Sequence, residues 1–281
     1  MRSTELHRDV FKSGSKTYFN SSLFFPPDVR DDVFILYGFV RVADNFVDAV
    51  PQQPDEFRRF VGRYRSALAG TPADDVIIDS FVDLSERRGF RAEWTDGFLR
   101  AMELDLEKRV HATLDETLEY VYGSAEVIGL YMARIMRLDP VADDAARMLG
   151  RSMQFINFIR DIAEDNELGR TYLPISESSL PDLNERTTRE QPDEFRRFLG
   201  VQLDRYREWQ AAAEAGYRFL PRRYLVPIKT AAEMYNWTAS VIEADPFVVY
   251  RRKVKPGRGR ILGRVLGNFV RPGPNAGAVP R

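Results

Sequence analysis

"GRSMQFINFIRDIAEDNELGRTYLP", residues 150–174, holds the decisive pattern of the chain. As a helix, it places Gln154, Asn157, Asp161 and Asp165 at i, i+3, i+7 and i+11, a polar stripe along one face. The other faces carry Met153, Phe155, Ile156, Phe158, Ile159 and Ile162. Arg160 and Glu164 flank the stripe, and Arg170 and Tyr172 follow before Pro174. An apolar helix with carboxylates set into it needs something to compensate their burial.

A second stretch repeats the pattern. In "DDVFILYGFVRVADNFVDAV" (31–50), Arg41, Asp44 and Asp48 lie at i, i+3 and i+7, with Tyr37 on the same face. Phe39, Val40, Val42, Ala43, Phe46 and Val47 make this helix apolar almost all round, as buried helices are. One aspartate pair at i, i+4 reads most simply as a solvated face. Two pairs, each in an apolar helix and each beside an arginine, are harder to explain that way, because like charges at that spacing repel. A divalent cation between the helices reverses the penalty. The candidate ligands, Asp44, Asp48, Asn157, Asp161 and Asp165, offer only oxygen, which suits Mg²⁺ or Mn²⁺ over Zn²⁺. Mg²⁺ commonly shares its shell with substrate phosphates, for which Arg41, Arg160 and Arg170 are fitting partners. The reading is a helical cavity that binds a diphosphate through Mg²⁺ and a hydrocarbon through its apolar walls.

Composition narrows the alternatives. The chain has 281 residues, 41 Lys+Arg against 42 Asp+Glu, and a formal net charge of −1, so no global field points to nucleic acid. Cysteine is absent, which excludes disulfides, thiolate catalysis and Cys-based metal sites. Two histidines, His7 and His111, leave little scope for a His-centred triad or a His-rich metal site. The N-terminal "MRSTELHRDVFKSGSK" lacks the apolar stretch of a signal peptide. No run is long enough to span a membrane. The expectation is a cytoplasmic protein that can still sit on the inner face of a membrane.

Periodicity predicts an all-α fold in one domain, 1–281. Besides 31–50 and 140–166, helices are expected near 54–70, 74–88, 91–109, 115–137, 192–219 and 224–243, with loops near 51–54, 70–73 and 175–191. The last loop, "ISESSLPDLNERTTREQ", is polar and long enough for a mobile lid. "QPDEFRRF" occurs at 53–60 and again at 191–198. That spacing differs from the spacing of the aspartate pairs, so helix-start chemistry used twice explains it better than duplication.

These residues resemble the squalene/phytoene synthase family of head-to-head prenyl transferases, and the likeness covers nearly the whole chain. "YGFVRVADNFVD" is similar to the family's first aspartate-rich motif, and "QFINFIRDIAEDNELGRTYLP" to the second. "SKTYF" (15–19) resembles the substrate-binding start, "YVYGSAEVIG" (120–129) the central helix with a small-residue kink, and "EMYNWTASVI" with "DPFVVYRRKV" the C-terminal signature. The resemblance implies a class I isoprenoid synthase bundle around one cavity, and the joining of two allylic diphosphates through a cyclopropyl intermediate. It implies Mg²⁺ on Asp44, Asp48, Asn157, Asp161 and Asp165. It also implies phosphate or substrate contacts from Ser15, Lys16, Tyr18, Ser22, Arg41, Gln154, Asn157, Arg160 and Arg170, with Arg251 or Arg252 at the far end. Tyr120, Tyr172 and Tyr235 are implied near the reacting carbons, beside Arg41 and Arg160.

The chain departs from the family at Asn45, where many members keep a second adjacent aspartate, at Glu126, where the kink usually has glycine, and at Gly14. Small residues at Ser21 and Ser22 favour two C20 substrates and phytoene. Squalene or dehydrosqualene from two farnesyl diphosphates is the alternative, with NADPH needed only for squalene. A non-catalytic relative is expected to have lost the aspartates, and a terpene cyclase lacks the Tyr-Leu-Pro ending. The tail, 257–281, carries Ile261, Leu262, Val265, Leu266 and Phe269 at helical spacing among Arg258, Arg260, Arg264 and Arg271. It fits an anionic membrane surface or a helix docked on the core, and Gly263 and Gly267 weaken the helix in either case.

Overall fold

The computed structural model describes residues 7–8 and 25–270, and among these the architecture is all-α. The chain runs through α1 (Pro27–Asp48), α2 (Pro54–Leu68), α3 (Val76–Arg88), α4 (Ala92–Glu107) and α5 (Leu114–Val121). A π-helical turn (Tyr122–Glu126) leads into α6 (Val127–Ile135), followed by α7 (Asp143–Arg160) and α8 (Ile162–Glu167). Then come α9 (Glu185–Glu190), α10 (Pro192–Glu214), α11 (Arg222–Ala244), α12 (Val248–Arg251) and α13 (Arg258–Val270).

Local chemistry explains many of these limits. Both copies of the repeated octapeptide open a helix: Pro54 and Pro192 sit in the first turn, with two acids after each. Proline loses nothing there and the acids meet the positive end of the dipole. The Asp75 side chain accepts from the Ile77 and Ile78 amides to start α3, and Gly89 ends it with φ 64. Thr113 and Glu116 form a reciprocal cap at the start of α5.

Two helices expected to be continuous are interrupted. The span 115–137 contains the π-helical turn, and 140–166 breaks at Asp161 (φ −101, ψ 14). The hydrogen bonds from Asp161 N to Asn157 O and from Asp165 N to Asp161 O, both 2.8 Å, carry the polar stripe across the second break. The predicted lid is fastened. Asn166 Nδ2 and Tyr250 Oη each donate to the Leu183 carbonyl, at 2.7 Å, while Leu180 and Leu183 are buried. Glu177 receives both guanidinium arms of Arg205. Polar composition made the segment look free, whereas its few apolar residues and these bonds hold it down.

The buried side chains form one continuous cluster. Around α1, Phe39 stacks on Phe81 at 3.9 Å and packs against Phe60, Tyr64 and Phe98. Helix α7 lies inside the bundle against α6 and α10. A β-carbon on Gly129 would come within 2.1 Å of the Ala146 carbonyl oxygen, and one on Gly150 within 2.2 Å of the Ala125 oxygen. Glycine at these two places is what lets α7 approach the kinked helix so closely.

Between these helices lies a cavity of about 400 Å³, walled almost wholly by apolar atoms. Tyr37 and Val40 of α1, Ile128 and Met132 of α6, and Leu149 and Met153 of α7 form much of the wall, and Pro227, Ile228 and Ala231 of α11 close it. Glu126 does not line it. Its carboxylate is buried against Arg147 (2.9 Å) and Arg151 (2.7 Å) of α7, so the unusual residue in the kink is a helix-to-helix tie and leaves the cavity wall unchanged.

Candidate active site

One face of α7 sets the site out. Ala146, Leu149, Gly150 and Met153 face the cavity, then Gln154 and Asn157 at its polar end. Asp161 and Asp165 continue the line past the cavity. The side-chain oxygen of Asn157 is buried with no hydrogen-bond partner. Across from this stripe, α1 contributes Tyr37 to the wall, then Arg41, Asp44 and Asp48 beyond it.

Each carboxylate pair is partly closed by cations. Arg41 Nη1 donates to Asp44 Oδ2 at 2.6 Å. Arg160 grips Asp161 with two bonds, 2.7 and 2.5 Å. Arg170 Nη1 reaches Asp48 Oδ1 at 2.8 Å, and its Nη2 holds the Val47 carbonyl at 2.8 Å. Lys253 approaches Asp161 at 3.2 Å and also pairs with Glu164. Even so, burial and the neighbouring Asp48 push the Asp44 carboxyl up to about 7. Burial and Asp161 push Asp165 up to about 8. Asp105 adds to both shifts from its place in the bundle.

Asp105 is the buried carboxylate of this region that sequence reasoning missed. Its side chain is 2% exposed and accepts the hydroxyls of Tyr120 (2.6 Å) and Tyr172 (2.7 Å). Tyr172 also receives Arg170 Nη1 at 3.3 Å, so one chain of bonds joins Asp48, Arg170, Tyr172, Asp105 and Tyr120. Burial holds the Asp105 carboxyl above its ordinary range, although the two tyrosine bonds pull it down. The same burial, with the Asp105 charge, raises both tyrosine hydroxyls, which therefore stay protonated as donors.

A short backbone pairing places this network. Thr171 N donates to the Arg109 carbonyl and His111 N to the Thr171 carbonyl, both at 2.8 Å. Thr117 Oγ1 donates to the Tyr172 carbonyl at 2.8 Å, and Phe158 stacks on the Tyr172 ring at 4.7 Å. Chain residues 170–172 are thus clamped from both sides.

The remaining expected residues divide clearly. Gln154 and Asn157 reach the cavity, while Arg41, Arg160, Arg170, Tyr120 and Tyr172 gather with the carboxylates. Tyr235 is half-buried on α11 and is not among the residues lining the cavity. Arg251 is occupied with Asp245, and Arg252 is exposed at the end of α12. The basic residue that turns toward the second aspartate pair is the next one, Lys253. Ser15, Lys16, Tyr18 and Ser22 lie outside the described residues.

Known proteins share this chain's fold and family. The model of the squalene/phytoene synthase family matches residues 11–260. A 15-cis-phytoene synthase of a Paracoccus species is 29% identical over 266 residues, covering 91% of this chain and 87% of the relative. Another from Synechocystis is 27% identical over 89% of this chain and 79% of its own length. Among solved structures, a dehydrosqualene synthase in complex with a ligand superposes with a TM-score of 0.80, at 17% identity and 96% coverage of both chains. A squalene synthase from Alicyclobacillus acidocaldarius gives 0.79 at 20% identity, covering 87% of this chain and 94% of that one. The fold and site therefore define an all-α prenyltransferase. The chain belongs to the squalene/phytoene synthase family.

Proposed function

We propose that the protein condenses two geranylgeranyl diphosphates head to head, through a cyclopropyl diphosphate intermediate, to phytoene, a step in carotenoid formation. The observation that carries this reading is the line that runs along α7 from apolar side chains in the cavity to Asn157 and continues through Asp161, at the break, to Asp165 of α8. A ligand laid along it has a hydrocarbon end and a strongly anionic end. The length of the seat accommodates C20. From Asn157 to Ala145, the first α7 residue that lines the cavity, is twelve residues, about 18 Å at helical rise. An extended C20 prenyl chain spans about 18 Å and a C15 chain about 13 Å, at roughly 1.2 Å per bond. The likeness to phytoene synthases supports the same choice.

Among the described residues no three acidic or histidine side chains have the spacing to hold a metal ion unaided. Mg²⁺ commonly takes one or two carboxylates and fills its shell with water and substrate phosphate. The all-oxygen donor set and the buried, unpartnered Asn157 oxygen fit such an ion. In this reading Asp44, Asp48, Asn157, Asp161 and Asp165 hold Mg²⁺, or Mn²⁺ in its place. The ion supplies charge to offset the diphosphate as its C–O bond breaks.

The protein's own groups do the rest. Arg41, Arg160 and Lys253 rest on carboxylates, and in this reading they exchange those partners for phosphate oxygens when the ligand arrives. Tyr120 and Tyr172 are fixed on Asp105 behind the cavity wall, where the Tyr172 hydroxyl also holds Arg170 in place. The apolar wall keeps water from the allylic cation, and the aromatic faces stabilise it. No strong protein base is needed, because the released diphosphate can accept the final proton.

The test is incubation with C15 and C20 diphosphates and Mg²⁺, with and without NADPH. Phytoene from C20 is expected. Squalene or dehydrosqualene as the main product would replace this reading, and NADPH would be a cofactor only for squalene. Asp161→Ala is expected to abolish turnover; unchanged turnover would restore a non-catalytic role.

A further inference from the structure

Helix α13 settles an ambiguity of the tail in an unexpected way. A terminal amphipathic helix either docks on the protein or keeps its apolar face free, and this one does both. Its inner side is tied to α11. Asn268 is buried and donates to Thr230 Oγ1 (3.2 Å) and Glu233 Oε2 (2.8 Å). The Arg260 guanidinium lies over the Trp237 ring at 4.7 Å, and Ile261 and Val265 are half-buried. Its outer side carries Leu262, Leu266 and Phe269, which are 63%, 67% and 68% exposed. These three lie at i, i+4 and i+7, one line along the helix. Lone exposed apolar side chains need no explanation, but three in a row on an ordered helix do.

Charge identifies the occupant. Residues 254–281 contain six Lys and Arg and no Asp or Glu, in a chain whose net charge is −1. Arg264 is exposed on the same helix, between Leu262 and Leu266 in sequence. A second copy of this chain would bring the same cationic surface to meet itself, which disfavours self-association. An anionic bilayer complements both features, taking the apolar line below its headgroups and the cations at them. No helix among the described residues is long and apolar enough to cross a membrane, so contact through α13 would be at the surface. The other side of α11 offers Pro227, Ile228 and Ala231 to the cavity. The helix that carries α13 is therefore also a wall of the hydrocarbon site.

We infer that α13 is a membrane-docking helix, which lays Leu262, Leu266 and Phe269 into the surface of an anionic bilayer while its Asn268 side stays fixed to the protein. This goes beyond the catalytic reading and does not depend on which prenyl diphosphate is used. The experiment is vesicle flotation of the full chain with phosphatidylcholine alone and with phosphatidylcholine containing one third phosphatidylglycerol. The wild type is expected to float with the anionic vesicles at least tenfold more than with the neutral ones, and raised salt should weaken this. The triple variant Leu262→Ser/Leu266→Ser/Phe269→Ser should lose at least tenfold of that binding. Its far-ultraviolet circular dichroism and its turnover of detergent-dispersed substrate should match the wild type. Arg264→Glu should weaken binding severalfold while leaving the apolar line in place. Wild type that stays with the protein fraction, equal flotation with neutral and anionic vesicles, or a triple variant that floats as before would each overturn the inference. So would a dimer in sedimentation that dissociates in the triple variant without any vesicle binding.

Discussion

Asp105→Asn tests the site's least expected residue. The substitution keeps shape and leaves the backbone oxygen of residue 105, which accepts Gln52 Nε2 at 2.8 Å, untouched. It replaces one of two acceptor oxygens with a donor. Of the two tyrosine hydroxyls, one keeps an acceptor and the other faces an N–H. A hydrogen bond to a charged group contributes about 1.5–3 kcal/mol, and a buried hydroxyl left without a partner costs a similar amount. The expected loss is about 2 kcal/mol of stability at neutral pH, partly offset by relief of the like charges at Asp44 and Asp165. The tyrosine rings should also loosen, and an error of about 1 Å in such placement can cost about 100-fold in rate. Turnover should fall at least tenfold, while KM moves far less because the phosphate-facing cations stay. A double-mutant cycle with Tyr172→Phe checks the cause. If the Tyr172–Asp105 bond is what is lost, urea unfolding should give a coupling of about 0.5–3 kcal/mol. Additivity within about 0.5 kcal/mol, or Asp105→Asn with full turnover, would refute the reasoning.

Four other outcomes follow from the structure. Glu126→Ala leaves Arg151 without its buried partner and should cost about 3 kcal/mol in denaturant unfolding, yet product length by chromatography should not change, since Glu126 does not line the cavity. Ala146→Leu fills the cavity where the fourth isoprene unit would end, and should shift the ratio of C15 to C20 use at least tenfold toward C15 in a competition assay. Lys253→Ala should raise KM for the diphosphate severalfold and leave the melting temperature within a few degrees, because Lys253 is at the rim of the site. His111 is buried beside Tyr172 and burial lowers its pKa, so the unfolded chain binds more protons than the folded one below about pH 6.5. That group's stabilisation is present above this pH and is lost as pH falls. His111→Gln should therefore lose less stability than the wild type between pH 7 and pH 5, measured as the difference between the two urea titrations.

The parts of the site that could be read in advance are those written along one helix. Asp161 and Asp165, and Asp44 and Asp48, stand out because period 3.6 puts each pair on one face among apolar neighbours. Asp105 offered no such contrast. It lies in "AMELDLEKR", where acids are frequent, and its burial comes from Tyr120 and Tyr172 closing over it from distant segments. Arg251, Arg252 and Lys253 are three consecutive cations, and which one turns inward depends on where α12 stops. The family resemblance implied a kink at Tyr-Gly-Ser-Ala-Glu, where the π-helical turn lies, but periodicity alone did not show it, since these residues are compatible with an ordinary helix. The fastening of 175–191 depends on Asn166, Arg205 and Tyr250, none of which lies in that segment.

The face of α7 also makes the protein a crankshaft. The hydrocarbon seat at Ala146 and the acids at Asp161 and Asp165 keep their alignment only because a fixed number of residues separates them. Inserting one residue between Leu149 and Met153 would turn everything beyond it by about 100°. Asp161 would take the buried place of Ile162, while Met153 and Ile156 would take the places of Gln154 and Asn157 at the ligand. Composition would hardly change and every functional residue would still be present. A loop accepts such an insertion readily, whereas here a single added residue is expected to abolish turnover more completely than most substitutions within the stripe.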